Sequence, residues 1–273
     1  MDQRLTPHKT IESIRQPVQR YRRWLLVISA GAALAAWSLA VRLGNLPAFI
    51  LPSPERVAAR GWQALRDGSL LYHAGVTLLE VLLGLLAGSI VATVLGYLLA
   101  RSRLVEQLLS PYLVASQAIP VVAVAPLLVI WFGPGMFSKV LVCALIVFFP
   151  ILINTLVGLQ AVPKNLRNLM RAMQATPWQT LRHLELPAAL PVILGGLRVG
   201  ATLSVTGAVV GEFIGADRGL GFLISVGRGQ YDTALVFVTI FALVVMALSL
   251  YGLVILAEKR LLRWRQNGHH EGV

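Results

Sequence analysis

Few residues in this chain have both the type and the surroundings to do chemistry. Glu80 and Glu212 are carboxylates set in long apolar runs. An ionised group there is costly in lipid and turns toward a protein interior or a wet cavity. Gly207, Gly211 and Gly215 step along one stripe beside Glu212, with Ser204 on it, and Gly84 and Gly88 follow Glu80 at the same spacing. Glycines four apart let helices approach closely, so helix packing is one reading of these stripes. The other reading is a small, polar solute path containing Glu80, Ser204, Gly207, Gly211 and Glu212. Catalytic chemistry finds no footing: there is no G-x-x-x-x-G-K-[ST] phosphate loop, no H-E-x-x-H and no Ser/His/Asp set. The one cysteine, Cys143, sits in an apolar run and reads as an inert buried thiol, and His269 and His270 fall in the C-terminal tail. No catalytic residue, metal site or resident cofactor is assigned, so any work the protein performs draws its energy from elsewhere.

The most structured polar stretch is 162–191, VPKNLRNLMRAMQATPWQTLRHLELPAALP, with Lys164, Arg167, Arg171 and Arg182. Thr176-Pro177-Trp178-Gln179 is a capping box with proline at the first helical position. Upstream, 165–175 has the spacing of a helix of about three turns, with Leu166, Leu169, Met170 and Met173 on one face. The stretch therefore predicts a helix, a sharp turn and a second helix, with Leu186-Pro187 turning the chain back. A rigid, capped loop of this kind suits contact with another protein, and 172–181 is the expected docking region.

The elements that must carry these residues are greasy. Of 273 residues, 56% are hydrophobic and 13% charged, against about 25% charged in a soluble domain. Six spans are expected, at 24–41, 75–100, 108–132, 139–159, 192–214 and 233–256, with a surface helix over 54–71 opened by Ser53-Pro54. The 108–132 span holds Pro111, Pro120 and Pro126, which break or kink a helix. The organisation read from this is a polar tail over 1–23, a membrane domain over 24–260 and a tail over 261–273. The first apolar run is too long for a signal h-region and lacks an evident small-residue cleavage site, so it is expected to remain as an anchor. The net charge of +12 accompanies no nucleic-acid motif, so it belongs beside spans rather than on a nucleic acid. With the N-terminus inside, 17 of the 24 Lys/Arg fall on inner segments. The outer seven are Arg42, Arg56, Arg60, Arg66, Lys139, Arg218 and Arg228. That bias favours cytoplasmic termini and a cytoplasmic 162–191 loop.

The segment 184–198, LELPAALPVILGGLR, resembles the distal half of the EAA loop of ABC-transporter permeases of the binding-protein-dependent class, with Leu184, Leu186 and Pro187 on its aliphatic and Leu-Pro positions. The proximal half departs: Asn168, Leu169 and Met170 stand at the Glu-Ala-Ala positions and Gln174 at the usual glycine. The stretches 49–57, 120–139 and 209–224 resemble the sulfonate, nitrate, taurine and vitamin-precursor branch, and the likeness runs from about 24 to 260. It implies an all-α type I importer permease fold in the inner membrane. It also implies a permease homodimer, two ATPase subunits carrying ATP-Mg and an external solute-binding protein. The coupling residues it implies are Asn168, Ala172, Gln174, Ala175, Thr176, Pro177, Trp178, Gln179, Leu181, Leu186 and Pro187. Within the branch the likeness leans to riboflavin or another heterocyclic vitamin or precursor, with sulfonate, taurine or nitrate as the alternative. A self-sufficient secondary transporter would favour an inverted repeat, which the sequence does not display, and a membrane enzyme lacks a catalytic set.

Overall fold

The computed structural model describes residues 9–262 except 46, so the tail residues 1–8 and 263–273, with His269 and His270, lie outside the described residues. The described residues form helices and connecting turns, in the order α1 Lys9–Leu43, α2 Pro54–Arg66, α3 Ser69–Arg101, α4 Arg103–Gln117, α5 Val121–Phe132, α6 Met136–Gln160, α7 Lys164–Ala172, α8 Pro177–Thr180, a π-turn Leu181–Glu185, α9 Leu186–Glu212, α10 Leu220–Gly229 and α11 Thr233–Leu261. Four helical runs are long and apolar enough to cross a membrane: α3, α6, the run Pro177–Glu212 and α11. The expected third span is not one straight helix. Leu104–Gln117 and Val121–Phe132 meet at 92° and make a fifth span only if counted together. The cause is Pro120, which caps α5 in extended backbone and cannot continue α4. Val27–Leu43 of α1 is an apolar stretch within the expected first span. Among the described residues, four helical runs, or five with the bent pair, are thus long and apolar enough to span, against the six expected.

The core is a slab of three helices, with α6 between α3 and α9. Small residues set its thickness. A Cβ on Gly88 would meet the carbonyl oxygen of Ala144 at 2.7 Å, and one on Gly207 would meet the Cα of Cys143 at 2.8 Å. Gly84 packs on the side chain of Cys143 and Gly211 on the backbone of Lys139. Cys143 is thus gripped from both faces, and its thiol points to the carbonyls of Val81 and Ser204. The glycine stripes of α3 and α9 are therefore packing surfaces. Gly215 does not extend the α9 stripe: it lies in the following turn at φ +82°, with no atom but the Pro134 side chain within 4 Å of its Cβ position. Leu152, Ile151 and Val147 of α6 fill the space against Ala92 and Leu99 of α3. Val81, Ala201, Val205 and Ala208 close the seam with Leu250 of α11.

The surface helix forms as expected, with Ser53 accepting from the Arg56 amide and Pro54 at its start. It ends at Arg66 rather than 71, because Gly68 turns the chain into α3 at φ +75°. Its Val57 and Ala64 pack with Leu220, Leu223 and Val238 of α10 and α11, while Trp62 and Leu65 stay exposed. Gly207→Ala is expected to cost about 1–3 kcal/mol by forcing α9 off α6, read as a lower thermal midpoint in detergent. Gly195→Ala meets no atom within 4 Å and is expected to be neutral or to gain up to about 1 kcal/mol. Equal stability of the two variants would contradict the packing.

Candidate functional site

Polar groups gather at the two ends of the slab. At the loop end, α7 closes in a Schellman motif: the Ala175 amide donates to the Met170 carbonyl at 3.0 Å and the Gln174 amide to that of Arg171 at 2.9 Å. This geometry needs a left-handed residue, and Gln174 supplies it at φ +55°. The position where the resembling family carries glycine is therefore a glycine-like backbone here too, held by a side chain that pays a steric cost. The expected helix over 165–175 is shorter, ending at Ala172 so that this turn can form. The capping box is present in both directions, Gln179 amide to Thr176 Oγ1 at 3.2 Å and Thr176 amide to Gln179 Oε1 at 2.8 Å.

The expected turn at Leu186-Pro187 is absent. Pro187 lacks the N–H that an α-helix needs, and the chain absorbs this with a π-turn in which the Leu186 amide reaches the Leu181 carbonyl. The helix runs on from Pro177 to Glu212, 36 residues, or about 54 Å. That exceeds a hydrocarbon core by over 20 Å, so α8 is a water-side extension of a membrane span. None of the α7 or α8 residues is buried. Leu169, Met173 and Trp178 stand open on this loop, at 56%, 70% and 65% exposure. Asn168, Ala172, Thr176, Pro177 and Gln179 are exposed around it, with Ala175 and Leu181 half-buried.

The sequence reading missed the residue that anchors this loop. Glu185, the only acid in 162–191, is buried on the slab at 5% exposure. Its carboxylate lies 3.3 Å from Arg101 Nη2 of α3 and 3.4 Å from Arg167 Nε of α7. Arg167 also donates to the Leu159 carbonyl at the end of α6, at 2.6 Å. A lone acid among basic and apolar residues, next to a Leu-Pro step, was the available signal.

At the other end, Glu80 of α3 is fully buried and faces Lys139 of α6 at 3.1 Å. Its cation is this lysine rather than an arginine, and Lys139 is a buried span residue rather than part of an outer segment. Glu212 accepts from Thr77 Oγ1 at 2.6 Å and from the Gly221 amide. The Leu220 amide donates to Thr77 at 2.7 Å and the Gly219 amide to His73 at 2.9 Å. Glu212 thereby fastens the glycine turn before α10. A cavity of about 490 Å³ opens above, lined by Glu80, Lys139, Pro134, Met136, Asp217 and Arg218. On its rim the hydrogen bond from Arg218 holds the Asp217 carboxyl below its ordinary value. Ser204, Gly207 and Gly211 are buried in the slab rather than on this cavity; Ser204 donates to the Ala201 carbonyl at 2.8 Å.

A bundle of long apolar helices with a capped polar lever continuous with one span is the architecture of a transporter membrane subunit. Residues 84–263 match the family of binding-protein-dependent transport system inner membrane components, and the chain belongs to it. It is a multi-pass inner-membrane permease of the ABC importer type. The riboflavin transport system permease protein RibX of Chloroflexus aurantiacus is 52% identical over 85% of this chain and 86% of that protein. The formylaminopyrimidine transport permease protein ThiX of Halalkalibacterium halodurans is 36% identical over 85% of this chain and 92% of its own length. An inward-facing structure of the MetNI methionine ABC transporter shares the fold at a TM-score of 0.60, 22% identity, 72% of this chain and 96% of that one.

Lys139→Met is expected to cost about 3–5 kcal/mol, because it leaves Glu80 buried without its cation. Adding Glu80→Gln should recover much of that, as read from unfolding midpoints of the two variants; a Lys139→Met protein as stable as the parent would contradict the pairing. Gln174→Gly should relieve about 1 kcal/mol of left-handed strain and slow hydrogen exchange at the Ala175 amide, and faster exchange there would count against the turn.

Proposed function

We propose that this chain is the membrane-spanning subunit of an ATP-driven importer for riboflavin or a closely related heterocyclic vitamin or precursor, delivered by an external binding protein. The observation that carries the transport half of this reading is the exposure of Leu169, Met173 and Trp178 on a loop pre-organised by a Schellman turn and a capping box. Exposed apolar side chains, a tryptophan among them, suit a groove on a partner, and a rigid loop transmits motion that a flexible one would absorb. The chain has no phosphate loop of its own, so ATP-Mg and its hydrolysis are assigned to separate ATPase subunits. Asn168, Ala172, Gln174, Ala175, Thr176, Pro177, Trp178, Gln179 and Leu181 form or frame the docking surface, and Leu186 and Pro187 join it to α9. The Lys/Arg bias supports a loop and both termini on the cytoplasmic side. Two copies of the chain, paired with two ATPase subunits, make up the transporter.

The substrate reading rests on the likeness to the riboflavin permease, at 52% identity. Sulfonate and taurine permeases are also similar, at 32% and 31% identity, and an importer for those anions is the alternative. A cavity of about 490 Å³ is within the usual range for a small-molecule site, about 300–1,000 Å³. Glu80 is the pathway residue at its floor. Glu212 stands behind it, and Ser204, Gly207 and Gly211 shape the wall through packing.

Uptake of labelled riboflavin by cells carrying the permease, its ATPase and its binding protein tests both halves. Uptake should require all three chains and resist competition by taurine; taurine uptake in its place would establish the alternative. Trp178→Glu should leave the permease in the membrane but weaken ATPase co-purification by about 30-fold or more, as for a central interface tryptophan. Undiminished co-purification would sink the docking assignment.

A further inference from the structure

We infer that Glu185 is the positioning residue that makes the loop and the membrane slab move as one, through a shared ion pair with Arg101 and Arg167. The inference rests on the proposed reading of 162–191 as the loop that an ATPase grips.

Four observations converge. First, α7 has no buried residue, so packing alone does not hold it to the spans. Among the described residues, the polar side-chain tie from α7 to the slab is Arg167, which reaches both Glu185 and the Leu159 carbonyl. Second, Glu185 is itself nearly sealed from water, where a charge interaction is screened far less than at a surface. An exposed pair in the same place would be worth little. Third, the other arm ends on α3. Arg101 is stacked 4.9 Å over the ring of Tyr97 and donates to its hydroxyl at 2.9 Å, so the guanidinium is pre-oriented toward Glu185. Fourth, Glu185 is the last residue of the π-turn. The extra residue in that turn rotates the chain ahead of it, so Glu185 can face the slab while Trp178 faces outward. π-turns of this kind recur at functional positions.

The consequence is mechanical. One carboxylate bridges the end of α3, α7 and the root of α9, while its Arg167 partner also touches the end of α6. A push on α8 is carried along α9 by the continuous helix. A push on α7 reaches α3 through this cluster, from Arg167 to Glu185 to Arg101. Without the Glu185 charge, α7 keeps Arg167's bond to the Leu159 carbonyl but loses its ionic tie to α3. The partner could then close on ATP while the slab stayed behind.

The test uses the full permease–ATPase complex with its binding protein in proteoliposomes, measuring ATP hydrolysis and solute uptake together. Glu185→Gln keeps the side-chain volume and removes the charge. It should leave complex assembly and hydrolysis close to the parent's, while solute moved per ATP falls about tenfold, within the range for residues in a coupling network. Glu185→Asp, which keeps the charge, should restore part of that ratio. If Glu185→Gln is not recovered from the membrane, Arg167→Gln provides the reading, because that side chain is partly exposed and its loss should lower the same ratio. An unchanged ratio in whichever variant is measured overturns the inference. A parent permease that fails to assemble with the ATPase would instead overturn the functional reading on which the inference rests.

Discussion

Backbone contact between α6 and its two neighbours is the constraint on which the rest of the structure depends. Lipid offers no hydrophobic drive for helices to associate, so close packing must supply the attraction. Gly84 and Gly88 bring α3 onto one face of α6, and Gly207 and Gly211 bring α9 onto the other. At Gly88 and Gly207 backbone lies directly against backbone, which leaves little room for the helices to shear there. Both polar clusters inherit their geometry from it. Glu80, Lys139 and Glu212 come one each from α3, α6 and α9, and the same three helices are tied at the loop end by Arg101, the Leu159 carbonyl and Glu185.

The two ends do different chemistry with similar means. At the cavity end the charges are sealed beneath a wet opening, and the carboxylate of Glu212 serves mainly to hold the turn 215–221 against α3. At the loop end the ions hold a water-side helix to the slab, and Leu169, Met173 and Trp178 beyond them are left uncovered. A helix of 36 residues joins one end to the other. In the proposed importer this length matters. The docking segment and the wall beside the cavity belong to one rod, so displacement at α8 needs no hinge to be felt near Glu212.

Much of this was legible in the residues. The capping box at Thr176 and Gln179 is a local pattern, satisfied within four residues, and the structure has both of its hydrogen bonds. The glycine stripes announced helix contact, and contact is what they make. Gln174 stood out against the resembling family, and its positive φ explains why a glycine would fit there. What was not legible depended on longer-range geometry. Pro187 read as a turn, yet a π-turn can absorb the missing N–H inside a continuous helix, and no local signal separates the two. The prolines of 108–132 warned of a break but not of a 92° bend. Lys139 read as an outer-segment cation and Glu185 drew no reading of its own, because their partners, Glu80 and Arg101, lie 59 and 84 positions away in the chain.

The central claim is that α3, α6 and α9 form one rigid body driven from the loop. Its most direct test is a spin-label distance between Leu98, exposed on α3 near the loop end, and Phe213, exposed just beyond α9 at the other end, with the buried Cys143 left in place. Labels on the partner ATPase report its closure on ATP in the same sample. The account expects the Leu98–Phe213 distance to stay fixed between the resting and ATP-closed complex. A change in that distance on closure, with the slab shearing along its own diagonal, would contradict it.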